Sequence, residues 1–106
     1  MLDVYKTSGA KRQFLRGLVK TIPGSTTAAQ LKRLMEALRQ YPISSAEAQR
    51  WLGVYDPAAR VWQLRHRYGH EVATCWWRGE SESGTLHKIG LYSLLREAKP
   101  AKEGSK

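Results

Sequence analysis

A single cysteine stands in 106 residues. Cys75 has no partner for an internal disulfide, so a cross-linked secreted scaffold is excluded and a reducing, cytoplasmic interior is expected. No apolar run exceeds a few residues, far below the ~20 that span a bilayer. Residues 1–10 lack the apolar centre of a signal peptide. Acids are scarce: 9 Asp+Glu face 18 Lys+Arg, a net charge of +9 and a pI near 10.1. That field attracts polyanions: nucleic acid, an anionic membrane surface or an acidic protein. There is one Phe, yet four Trp and five Tyr, and 42% of residues are hydrophobic, enough to fold one modest core.

The carboxylates are scattered rather than paired, and no Gly-rich phosphate loop precedes a Lys-Ser/Thr pair. His66 and His70 have helical zinc-ligand spacing, with Cys75 and His87 downstream, but Gly69 interrupts the helix before His70 and no paired Cys motif completes a tetrahedral site. Cys75, in mid-strand, reads as a small core residue rather than a nucleophile. The expectation is therefore no enzyme, no cofactor, no metal and no small-molecule substrate.

Residues 1–25 read as a basic arm, with Lys6, Lys11, Arg12, Arg16 and Lys20 against Asp3 alone. Within it, Phe14, Leu15, Leu18 and Ile22 recur at helical spacing beside a basic stripe, and a helix is expected over 10–21, ended by Pro23-Gly24. The apolar stripe has two uses open to it, packing on its own domain or pairing with a second copy. Ser25-Thr26-Thr27 offer N-cap hydroxyls to a second helix carrying Leu31, Leu34, Met35 and Leu38 through residue 40, ended by Tyr41-Pro42. Ser44-Ser45-Ala46-Glu47 forms a capping box that opens a helix of about two turns, stopped by Gly53. Asp56-Pro57 starts another, expected over 57–68 with a stop at Gly69. Then the period changes. Residues 71–77 and 86–92 are rich in strand formers around a polar turn over 79–84, which gives a β-hairpin. The charged tail 96–106 is expected to be disordered beyond its first turn.

Helix, short helix, turn, helix, then a ribbon is the order of a helix-turn-helix with a wing. Ile43-Ser44-Ser45-Ala46-Glu47-Ala48, Leu52-Gly53-Val54-Tyr55-Asp56, and Ala58-Ala59-Arg60-Val61 with Leu64-Arg65 and Gly69 resemble a winged helix-turn-helix domain of the type common in phage and mobile-element proteins. The likeness covers residues 27–95. It implies a mainly α fold with a small β-hairpin, three helices plus the extra N-terminal one, and DNA binding through the helix over 57–68. The implied domain layout is arm 1–25, winged domain 26–95 and tail 96–106.

Winding that helix at ~100° per residue points Pro57, Val61, Leu64 and Tyr68 towards the core. Ala59, Trp62, Gln63 and His66 point outward, with Arg60 and Arg67 beside them. In a major groove, Ala59 allows close approach to a thymine methyl, Gln63 can bond bidentately to adenine, and Arg60 or Arg67 can reach guanine or phosphate. His66 adds an imidazole to the same face. The bland counterpart is a solvated polar face. Trp62 is expected to pack under the hairpin beside Trp76 or Trp77, or else to be a contact residue. Of that adjacent pair, one is expected in the core and the other partly exposed. Ser44 and Ser45, with free amides at a helix start, are expected on a phosphate. Lys11, Arg12 and Arg16 would add arm contacts. The wing tip carries Glu80 and Glu82, so only Arg78 and Lys88, at the wing's base, are expected near the duplex.

The sequence reading is a sequence-specific double-stranded DNA-binding protein, a transcriptional regulator or accessory factor of a mobile element, monomeric or weakly dimeric alone and paired as a homodimer on DNA, with no membrane partner. Its rival is a winged-helix protein-interaction module in a nucleoprotein assembly, which the acidic hairpin and surplus Trp favour. RNA binding ranks below both, because the aromatic strand signature of an RNA-recognition sheet is missing.

Overall fold

The computed structural model describes residues 7–80 and 86–99, with side chains described as far as 76 and again from 89. In chain order the elements are α1 (Gly9–Thr21), α2 (Thr27–Gln40), β1 (Ile43–Ser44), α3 (Ser45–Trp51), α4 (Pro57–His66), β2 (Glu71–Glu80) and β3 (Leu86–Arg96). The fold is mainly helical, with a small antiparallel sheet in the order β1-β3-β2.

Each helix begins where a short polar side chain can take an orphan amide. Ser8, Thr26, Ser44 and Asp56 accept from the backbone amides of Lys11, Ala29, Glu47 and Ala59 respectively. At Ser44 the capping box is complete, with the Glu47 carboxylate accepting the Ser44 amide in return. Gly53 and Gly69 sit at φ 68° and 75°, the left-handed geometry that lets the chain turn off α3 and α4.

The core draws Leu31, Leu34, Met35, Ala37 and Leu38 from α2, Val61 and Leu64 from α4, Ala48 from α3, Leu52 and Val54 from the turn, and Ile43, Val72 and Tyr92 from the sheet. The N-terminal helix joins it: Leu15 is fully buried, and Phe14 and Leu18 pack against the same cluster. Burying one such leucine stabilises the fold by ~1.5–3 kcal/mol. The apolar stripe of α1 is thereby used within its own chain.

Four expectations are corrected. The sheet has three strands rather than two: Ile43 and Ser44 pair with Tyr92 and Leu91, a strand too short to show a period of two. The hairpin is longer than expected, because the ladder continues to Glu80↔Leu86 at one end and Glu71↔Arg96 at the other; Gly79 and Glu80 are strand residues, and Ser81 to Gly84 lie outside the described residues. Tyr68 is not core but 51% exposed, since α4 ends at His66 and Tyr68 leaves the helical register to stack on His70. Cys75 is exposed on β2 and not part of the core.

On the other face of β2, Val72 is buried and Thr74 accepts a hydrogen bond from Arg65 of α4, but by Trp76 the ribbon has run past the helices and the ring is 61% exposed. A Cβ on its ladder partner Gly90 would lie 3.2 Å from the Trp76 ring, so the bare glycine is what lets that ring rest on the sheet. The side chain of Trp77 lies outside the described residues. At the C-terminal end, the fold reaches past Arg96: Glu97 pairs with Arg39 of α2, and the Ala98 amide donates to His70 Nδ1.

Candidate nucleic-acid interface

The turn between α3 and α4 sets the direction of α4, and one buried side chain holds that turn. Arg33 of α2 is 1% exposed. Its Nε donates to the Leu52 carbonyl and its Nη2 to Gly53, at 2.8 and 3.0 Å, while Nη1 donates to Ile22 and Gly24 at 2.6 and 2.8 Å. Ile22 and Leu52 are the C-caps of α1 and α3. The guanidinium thus sits where two helices present their negative ends, which compensates its charge with no carboxylate paired to it among the described residues. Sequence reasoning missed Arg33. The available signal was its position: a cation three residues after Gln30 and four before Ala37, inside the buried face of α2.

From this anchored turn α4 runs with Pro57, Val61 and Leu64 inward. Arg65 ties it sideways to the wing, donating to the Val72 carbonyl and to Thr74 Oγ1 at 2.8 and 2.6 Å. The opposite face is open, with Ala58, Trp62, His66 and Arg67 exposed and Ala59 and Gln63 half-buried. A shallow groove lined by Asp56, Ala58, Ala59, Arg60, Trp62 and Gln63 runs along it.

Three details differ from the expectation. Trp62 is 57% exposed and does not pack beneath the hairpin; its ring lies 4.7 Å from that of His66, one helical turn on. Arg60 is half-buried and turned towards the start of α2, where Nη1 donates to Thr27 Oγ1 at 3.1 Å and Nε is buried with no partner among the described residues. Gln63 Oε1 is likewise buried and unpartnered, so only one end of its amide is presented outward; bidentate bonding to adenine requires that side chain to turn.

The start of α3 is engaged by its own capping box. Ser44 is 5% exposed, its hydroxyl and amide are both committed to Glu47, and a carboxylate occupies the helix end. Ser45 is half-buried beside it. Lys11 is drawn into the same cluster: its ammonium donates to Glu47 Oε1 at 2.8 Å and to the Pro42 carbonyl at 2.7 Å, and Thr7 donates to Glu47 Oε2 at 2.7 Å. Burial pushes the Glu47 carboxyl upward, but hydrogen bonds from Lys11, the Ser44 amide and Thr7 outweigh it and hold the group below its ordinary range. Lys11 therefore fastens α1 to α3, whereas Arg12 and Arg16, one and two turns on, remain exposed.

On the wing, Arg78 and Lys88 are ladder partners. They stand two rungs from the Glu80↔Leu86 end, in the outer part of the ribbon and not at its base, because the ladder extends further than the strand-forming residues alone indicated. Among the described residues no helix is long and apolar enough to cross a membrane.

A family model described as a winged helix-turn-helix domain matches residues 29–97, from α2 to the end of the wing. No curated protein and no solved structure matches the chain.

Proposed function

This chain belongs to the winged helix-turn-helix family, whose fold supports DNA binding, and from that premise we propose that it binds duplex DNA sequence-specifically with α4 in the major groove. The observation that carries the reading is the outward face of α4. It is open along its length, has small residues at Ala58 and Ala59 where a groove floor would approach, and ends in His66 and Arg67. Trp62 on that face offers an apolar edge to a thymine methyl or a sugar. Arg67 supplies a guanidinium for a base or a phosphate, and Arg78 and Lys88 bring the outer ribbon to an adjoining backbone. Ser44 and Lys11 have other roles in this fold, and Arg60 contributes by orienting the start of α2.

Because the matched domain offers a single reading helix, specificity is gained by pairing on two half-sites ~34–36 Å apart. Since α1 is packed on its own domain, the pairing surface is the ribbon with Trp76 and Leu95, both exposed. The resemblance of the sequence extends the proposal to a regulator or accessory factor of a mobile element. The same exposed ribbon favours the second reading, a protein-docking wing in a nucleoprotein assembly.

Selection from random duplex pools, followed by binding to the selected site, scrambled duplex and RNA over a salt range, tests the proposal. A selected motif bound ~10³-fold or more above scrambled DNA supports base reading. Equal binding to all three polymers contradicts it.

A further inference from the structure

Trp51, at the end of α3, is surrounded by guanidiniums. Those of Arg12, Arg16 and Arg50 lie 5.3, 5.9 and 5.8 Å from the centre of its ring. Lys20 joins Arg16, Arg50 and Trp51 in lining an open groove between α1 and the end of α3. Like charges gathered this way repel one another, and the cation–π attraction to a single ring offsets only part of that. The usual remedy is a carboxylate, yet among the described residues no carboxylate pairs with these three arginines, and their side chains make no hydrogen bond there. The nearest buried acid, Glu47, is already engaged by Lys11 and Thr7. The ring gathers the three guanidiniums on exposed side chains, so their N–H donors remain open to an anionic ligand.

Arg12, Arg16 and Lys20 recur every four residues, a row of cations ~6 Å apart along α1, and Arg50 widens the row from α3. Nothing from α4 takes part. We propose that this row is a phosphate clamp that grips the sugar-phosphate backbone of duplex DNA beside the segment read by α4, with Trp51 as the positioning residue that pre-orients its guanidiniums. A repeating line of anions answers a repeating line of cations, and fork-shaped N–H edges suit phosphate oxygens. Three of the clamp's four cations stand on α1, which lies outside the residues matched by the family model. The inference rests on the duplex-DNA reading of the site but not on base recognition by α4.

The test is salt-dependent binding of the full chain to a short duplex of arbitrary sequence, and in parallel to the selected site. Arg16→Gln is compared with Lys32→Gln, an equal loss of charge on an exposed residue outside the clamp. The expected result is that Arg16→Gln lowers the slope of log K against log salt by about 0.9, on both duplexes, with base preference unchanged. Lys32→Gln leaves the slope within error. Arg12→Gln/Arg16→Gln/Arg50→Gln lowers it further, and Trp51→Leu weakens duplex binding although all charges remain. Equal effects of Arg16→Gln and Lys32→Gln overturn the clamp, as does an unchanged slope in the triple variant. So does a response of polyglutamate binding, and not of duplex binding, to the same variants. Loss of base preference in the wild type would count against α4 while leaving these slopes readable.

Discussion

Replacing Arg33 with Met keeps the aliphatic stem of the side chain and removes the charge and the hydrogen bonds of a residue that is 1% exposed. Four carbonyls, of Ile22, Gly24, Leu52 and Gly53, lose their donor at once. Hydrogen bonds from a charged donor contribute ~1.5–3 kcal/mol each, but the desolvation of the buried guanidinium offsets a large part of their sum. Leu52 is buried, so its carbonyl is stranded at a cost of ~1–3 kcal/mol, whereas Gly24 is exposed and water can take over there. A net loss of about 3–5 kcal/mol follows. For a domain near 100 residues each kcal/mol moves the melting point by ~4–8 °C, so Arg33→Met should melt at least ~12 °C below the wild type. Arg33→Lys should also destabilise, because one ammonium cannot span carbonyls from two separate turns. Urea unfolding with a shared slope measures both. A loss under ~1 kcal/mol in Arg33→Met would refute the view that this guanidinium holds the helix-turn-helix together.

Glu47 makes stability depend on acid. Its carboxyl is held below its ordinary range when folded, so its contribution is complete above the unfolded value near ~4.3 and is lost as pH falls through the lowered folded value; urea midpoints between pH ~5 and ~3 should fall more steeply in the wild type than in Glu47→Gln, and parallel curves would contradict the cluster. Trp62→Ala should change stability by no more than ~0.5 kcal/mol, since the ring is largely exposed, yet weaken binding to a selected duplex; a large drop in melting temperature would mean that the ring packs after all. Deleting residues 1–20 should destabilise the fold by ~2–5 kcal/mol through loss of Leu15 and its neighbours, and circular dichroism melts would show it; an unchanged melt would return α1 to the status of a detachable arm.

The helices were legible because each announces itself locally. Ser44-Ser45-Ala46-Glu47 and Asp56-Pro57 carry their own start signals, and Gly53 and Gly69 their stops, and these chemistries act within one or two turns. What could not be read is non-local. Ile43 pairs with Tyr92 across almost half the chain, and no pattern in two residues reveals it. The length of the ribbon depends on ladder hydrogen bonds that Gly79 and Glu80 make regardless of their low strand propensity. In the site, winding α4 found the open face but not the rotamers that turn Arg60 towards Thr27 and bury one end of the Gln63 amide. Ser44 shows the same limit from the other side. The capping box is legible in the sequence, but the box itself takes up the Ser44 hydroxyl with the Ser44 and Glu47 amides and sets a carboxylate at the helix start. Trp51 and Arg33 were missed because their roles arise where α1, α2 and α3 meet, which no single periodicity displays.

The central claim is that the outward face of α4 touches bases. The direct measurement is affinity for the selected duplex and for a panel in which each base pair is changed singly, using the wild type, Gln63→Ala and Arg67→Ala. If α4 reads the groove, at least one of these substitutions abolishes the penalty of ~1–3 kcal/mol at one or two particular base pairs while leaving the penalties elsewhere intact. A uniform weakening on every duplex, with the wild-type pattern of base penalties preserved in both variants, would contradict the claim.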